Sequence, residues 1–186
     1  MSSVSVILSR KPGDTMSVAQ NSLPSNLPYL NIKIVDEDVH EELVAADKPG
    51  LMPTRGTPTA VGLDLYAAED VTLEPMYAST CADAHRQMVS TGISVEFPDT
   101  HALFIHDRSG MSAKFGVHRV AGLIDSDYRG PVKVALVNLS NHTYEISKGD
   151  RIAQAVLAPV SLVTPKRVSE LSDTSRGSGG FGSTGK

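Results

Sequence analysis

The sequence predicts an all-β domain of the sandwich, jelly-roll or barrel kind. Three observations carry that prediction. Short apolar, β-like runs recur along most of the chain. Turn formers separate them, with 15 Gly and 11 Pro in 186 residues. Only one short segment, Gly110 to Phe115, is assigned to a helix.

In order, residues 1–29 are rich in Ser, Pro and Asn, with room for one short strand near Val4 to Leu8. They read as an N-terminal extension of unassigned role. Leu30 to Val35 alternates with period two and predicts the first core strand. Asp36 to Lys48 is acidic and fits either a short helix or a long loop. Further runs follow at Val61–Tyr66, Val71–Leu73, Met88–Phe97, Leu103–His106, Lys133–Leu139 and Ile152–Pro159. Turns are expected at Pro98-Asp99, Ser109-Gly110, Arg129-Gly130-Pro131, Asn141-His142 and Lys148-Gly149-Asp150. Tyr77 to Arg86 is polar and reads as a loop. The domain is expected over 30–168. From Ser169 the composition shifts, and five of the eleven residues from Arg176 to Lys186 are Gly. Such a tail cannot offset its own ordering entropy, so 169–186 is expected to be a flexible arm.

Composition narrows the function. Hydrophobic residues are 40% and aromatics 5%, with no Trp, so the core must be aliphatic. The net charge of -4 speaks against a general duplex-binding surface, though not against a small anion held by local Arg residues. Cys81 is the sole cysteine, which excludes an intramolecular disulfide and a Cys-based zinc site. No apolar run approaches a bilayer span, and the N-terminus is a poor signal peptide, so a cytoplasmic protein (or one of a host cell's cytoplasm) is expected.

Four stretches carry candidate chemistry. Ala121 to Asn138 places Asp125, Asp127, Tyr128 and Arg129 at the mouth of a predicted hairpin, whose backbone can meet a flat base edge. An ordinary polar turn is an even alternative. His106 to Ser112 puts Arg108, Ser109 and Gly110 where a strand enters a helix, a place suited to an anion; Ser109 as a plain helix cap is the simpler reading. In Gly149 to Val156, Arg151 and Gln154 interrupt an apolar strand. Three residues apart, they point to opposite faces unless a bulge intervenes. The tail spells G-x-x-x-x-G-K from Gly180, but without a following Ser or Thr and helix it is no P-loop. It fits an arm that closes over a ligand, Phe181 stacking on a base and Arg176 meeting phosphate.

Together these stretches resemble the homotrimeric deoxyuridine triphosphatase (dUTPase) family over about residues 30–185. Its five motifs are matched in order by Ala60–Ala67, Arg108–Gly110, Ala121–Asn138, Gly149–Val156 and Arg176–Gly185. The resemblance implies a jelly-roll-like β-barrel subunit, a homotrimer with shared active sites, and cleavage of dUTP to dUMP and pyrophosphate with Mg²⁺. It implies Asp125 as general base and Tyr128 under the deoxyribose, excluding a 2′-hydroxyl. Backbone of Gly122, Leu123, Ile124 and Lys133 would read the uracil edge. Arg108, Ser109, Gly110 and Gln154 would hold phosphates, and Asp64 would hold Mg²⁺ through water. Arg176 would reach the terminal phosphates, with Phe181 and Gly182 covering the uracil. Such an enzyme would limit uracil incorporation into DNA and supply dUMP for dTMP synthesis.

Two departures stand out. Asp107 occupies a position where many members carry Pro, and a carboxylate beside a phosphate cradle is electrostatically odd. Tyr77 to Met88 exceeds the family's usual connection. Two other readings compete: a dCTP deaminase on the same fold, disfavoured by Asp125 and Phe181, and a trimeric interaction protein switched by dUTP.

Overall fold

In the computed structural model, residues 27–77 and 84–180 are described. Their strands are β1 (Asn31–Ile34), β2 (Thr54–Arg55), β3 (Leu63–Tyr66), β4 (Val71–Leu73), β5 (Arg86–Ser90), β6 (Ile93–Glu96), β7 (His101–His106), β8 (Val117–Arg119), β9 (Leu123–Ile124), β10 (Lys133–Asn138), β11 (Tyr144–Ile146) and β12 (Arg151–Pro159). Two helices interrupt them, α1 (Glu37–Ala45) and α2 (Ser109–Phe115). The expected strand near Val4 and residue Cys81 lie outside the described residues.

The all-β expectation holds, with one more helix than the single one expected. The acidic 36–48 segment takes the helical option. Glu37 and Asp38 sit in its first turn, where negative charge suits the dipole. Its end is closed by the Lys48 N–H on Leu43 O at 2.9 Å and the Asp47 N–H on Val44 O at 3.0 Å, with Asp47 left-handed at φ 59°.

All strand pairings are antiparallel. Among the described residues four sheets form, in the orders β1-β6, β5-β10-β8, β11-β4 and β2-β3-β12-β7-β9. The Met88–Phe97 run is broken at Thr91-Gly92, where Gly92 takes φ +63° and the chain passes from β5 into β6. The core between the sheets is aliphatic, as composition requires, with Leu65, Leu73, Val89, Ile93, Val134, Leu136 and Ile152 buried. Each such side chain contributes about 1.5–3 kcal/mol by leaving water.

β10 does not alternate; all of Val134–Asn138 is buried. Asn138 is tolerated there because its amide is satisfied. Nδ2 donates to Leu73 O at 2.9 Å and His142 O at 2.8 Å, while Oδ1 accepts from Ser140 N and Oγ.

The Val160 N–H bonds Thr100 O at 2.9 Å, after which residues 161–178 run exposed. Among the described residues, no helix is long and apolar enough to cross a membrane.

Candidate active site

The five-stranded sheet aligns one row of polar residues. Asp64 on β3 pairs in register with Gln154 on β12, and Gln154 with His106 on β7. Residues directly opposite share a face. Asp64 is 4% exposed, so its charge needs compensation, and three side chains supply it. Gln154 Nε2 donates to Oδ1 at 3.3 Å, Arg151 Nη1 donates to Oδ2 at 3.3 Å, and Arg108 Nε lies 3.4 Å from Oδ1. Arg108 Nη1 also donates to Arg151 O at 3.0 Å.

Period-two reasoning puts Arg151 and Gln154 on opposite faces unless a bulge intervenes. The ladder between β12 and β3 shifts register between Arg151 and Ala153. That irregularity re-aims one side chain and brings Arg151 and Gln154 onto the same carboxylate. The sequence names the condition, and the register shift meets it.

Arg108 is the N-cap of α2, which has no side-chain cap, so the plain reading of Ser109 as a cap does not hold. The Met111 and Ser112 N–H groups both bond Arg108 O. Ser109 and Gly110 therefore stand ahead of the first helical bond, in exposed positions. A Cβ on Gly110 would meet open space, so none of the described residues requires glycine there.

Beside these groups lies a cleft of about 220 Å³ lined by Arg108, Met111, Tyr144, Ile146, Asp150, Arg151 and Ile152. Asp150 turns aside to accept the Ser147 N–H at 2.9 Å. The Tyr144 ring lies tilted against that of Phe115, with centroids 5.2 Å apart; burial, reinforced by Asp150 and opposed by Arg108, raises its pKa and keeps the phenol neutral. Two anchored guanidiniums, a primary amide and an open helix start are the donors a polyphosphate needs.

Direct coordination of magnesium by Asp64 does not fit this arrangement, whereas the expected hold through water is a separate contact. The Asp64 oxygens are engaged by two guanidiniums and an amide, and a cation would have to enter between fixed positive charges. No group of three or more His, Cys, Asp or Glu stands together for a metal among the described residues.

The second cluster surrounds Asp125. Sequence predicts a hairpin here, and the pairing corrects it. β9 bonds β7, whereas β10 bonds β5 and β8, so residues 125–132 bridge two sheets. The loop is fixed at both ends: Tyr128 N–H bonds Asp125 O at 3.2 Å, Tyr128 Oη donates to Pro131 O at 3.0 Å, and Val132 N–H bonds Ile93 O at 2.8 Å. A Cβ on Gly130 would overlap the Tyr128 ring, and one on Gly122 would meet Ile105 O. The loop thus presents an exposed Asp125 carboxylate beside the half-exposed face of Tyr128. β9 is an outer strand, so Leu123 and Ile124 keep one backbone edge open, with exposed Lys133 at the start of β10.

Within one chain the two clusters are apart. Ile124 stands opposite Leu103, three rungs from the His106–Gln154–Asp64 row and three strands from Asp64, and Asp125 is one residue further still. At about 3.3 Å per rung and about 4.8 Å per strand, roughly 20 Å separates Asp125 from Asp64. Arg176 is elsewhere again, exposed on the arm with Nε on Gly179 O at 2.8 Å. Phe181 and Gly182 lie outside the described residues.

The dUTPase family model matches residues 48–185. The chain is 47% identical over 136 residues to deoxyuridine 5'-triphosphate nucleotidohydrolase of Anaplasma marginale, covering 72% of this chain and 88% of that one. It is 43% identical over 134 residues to the mitochondrial human protein of the same name, 72% of this chain and 50% of that one. Among solved structures it resembles a mutant dUTPase of Staphylococcus bacteriophage 80alpha with dUpNHpp, at TM-score 0.70 and 26% identity, covering 85% and 99% of the two chains. A mutant dUTPase of phage phi11, described with a structural Mg(II) ion, shares the fold at TM-score 0.63 and 23% identity, covering 78% and 99%.

Proposed function

The chain belongs to the dUTPase family, and on that premise we propose how its residues divide the work. The protein is a dUTP diphosphatase: it hydrolyses dUTP to dUMP and pyrophosphate. In our reading Arg108, Arg151, Gln154 and the open N–H groups of Ser109 and Gly110 hold the triphosphate. Asp64 keeps both arginines aimed. Asp125 orients a water toward the α-phosphorus and takes its proton as the new P–O bond forms, and the α–β bridging P–O bond breaks to release pyrophosphate. Positioning outweighs basicity in such a step, and general-base assistance is worth on the order of 10²–10⁴ in rate. Tyr128 lies under the deoxyribose, while backbone of Gly122, Leu123, Ile124 and Lys133 reads the uracil edge. Arg176, Phe181 and Gly182 close from the arm. Mg²⁺ belongs to this reading only as the counter-ion that the triphosphate brings, and no side chain is assigned to it. A cytoplasmic location goes with the same reading.

One observation carries the assignment of a shared site. The sheet register leaves roughly 20 Å between Asp125 and Asp64, far beyond the one-water reach of a general base. A complete site therefore needs the Asp125 loop of one subunit against the arginine cradle of another. A closed ring of three copies supplies it, and the exposed arm with Leu162, Val163, Val168 and Leu171 has apolar surface to lay on a neighbour. Co-expressing Asp125→Asn with Arg108→Gln tests this. Each alone turns over slowly, and random mixing is expected to restore about a quarter of wild-type activity, because sites pairing two intact halves reappear. No recovery on mixing would refute the shared site.

A further inference from the structure

Asp107 lies between the end of β7 and Arg108, yet its carboxylate turns away from the cradle. Oδ1 accepts the Arg119 N–H at 2.8 Å, and Oδ2 stands 2.9 Å from His118 Nδ1. Both partners are on β8, an outer strand. The next N–H, that of Val120, turns inward to Ala135 O at 2.9 Å, so the Arg119 N–H faces outward. Asp107 takes this otherwise open edge donor. To serve a carboxylate the imidazole carries its proton on Nδ1. Burial pushes the Asp107 pKa up, but the Arg119 N–H, the His118 bond and the charges of His118 and Arg119 outweigh it and hold the carboxyl below its ordinary value. The clamp is ionised at neutral pH.

The clamp matters because its neighbour in the chain is Arg108. The Nε of that residue is buried and makes no hydrogen bond among the described residues; it faces Asp64 Oδ1 at 3.4 Å, and Nη1 donates to Arg151 O. Asp64 and Arg151 O hold the tip of the guanidinium, and the position of its backbone decides whether the side chain reaches them. Asp107 ties that backbone to β8 and closes the whole segment that carries α2. The Asp125 loop is held separately, through the pairing of β9 with β7 and the Ile105 N–H on Gly122 O at 2.7 Å. We propose that Asp107 is a positioning residue for triphosphate binding, its two bonds to β8 fixing the backbone from which Arg108 reaches the phosphates. This rests on the reading of Arg108 as a phosphate ligand.

The experiment uses the full-length protein with Asp107→Ala, Asp107→Asn, His118→Ala and Arg108→Gln. It measures pyrophosphate release from dUTP, Kd for dUpNHpp, and thermal unfolding. Asn keeps an acceptor for the Arg119 N–H and a donor for the imidazole in its other tautomer, whereas Ala keeps neither. Asp107→Ala is expected to raise KM and Kd about tenfold with kcat within about twofold, and Asp107→Asn to recover to within about threefold of wild type. His118→Ala cuts one bond of the two and is expected to raise KM about threefold at unchanged melting. A wild-type KM in Asp107→Ala or His118→Ala overturns the proposal, as does a fall in kcat alone or a failure of Asn to rescue. Arg108→Gln separates this from the parent reading. If Arg108→Gln loses affinity while Asp107→Ala binds normally, the clamp falls and the cradle stands. If Arg108→Gln binds normally, both fall.

Discussion

Replacing Asp64 by Asn separates an arginine anchor from a metal ligand. The carboxylate is nearly enclosed and faces Arg108, Arg151 and Gln154. Asparagine keeps the shape but turns one acceptor into a donor aimed at a guanidinium. Breaking a fully buried ion pair costs about 3–5 kcal/mol. Two features reduce that here. Arg151 is half exposed, at 51%, and Arg108 a quarter exposed, so water screens part of the freed charge. The contacts, at 3.3–3.4 Å, are also longer than the charge-assisted optimum of about 2.7–2.9 Å. The resulting loss is about 2 kcal/mol, which lowers Tm by about 4–8 °C for a chain of this size. Scanning calorimetry at fixed protein concentration measures it, since assembly couples stability to concentration. Titration with dUpNHpp, with and without Mg²⁺, reads the site. Affinity is expected to fall by the same factor in both conditions, because what is lost is the aim of the arginines. An unchanged Tm, with affinity lost only when Mg²⁺ is present, would refute the anchor and make Asp64 a metal ligand.

Two further outcomes are expected. Deleting 177–186 is expected to leave the body's melting unchanged, since residues 161–178 between body and deletion run exposed, and to cut dUTP turnover severely; full activity in the truncated protein would reduce the arm to a loose end. Gly130→Ala displaces the Tyr128 ring and is expected to lower the preference for dUTP over UTP by about tenfold in kcat/KM, a preference that would stay intact if the ring did not guard the 2′ position.

The site was legible in the sequence as residue types and lost as geometry. Arg108, Gln154 and Asp64 stand out in the motifs, and the structure gathers them, because β3, β12 and β7 are neighbours in one sheet. Alternation places Arg151 on the wrong face, because it holds only along an unbroken ladder and this one shifts register just after that residue. Asp107 stands out as misplaced, but its partners lie eleven and twelve residues away on a different strand, and no local pattern connects them.

What the chain determined by itself is local. Apolar spacing set most of the strands, Gly and Pro set the breaks, and the acidic first turn suited α1. Tertiary packing decided the rest: that the Asp125 loop bridges two sheets instead of closing a hairpin, that β10 is buried on both faces, and that Asp64 meets two guanidiniums. Each of these depends on which distant surface a segment buries against. Pairing energy between strands is similar for many partners, and only the global exclusion of water chooses among them.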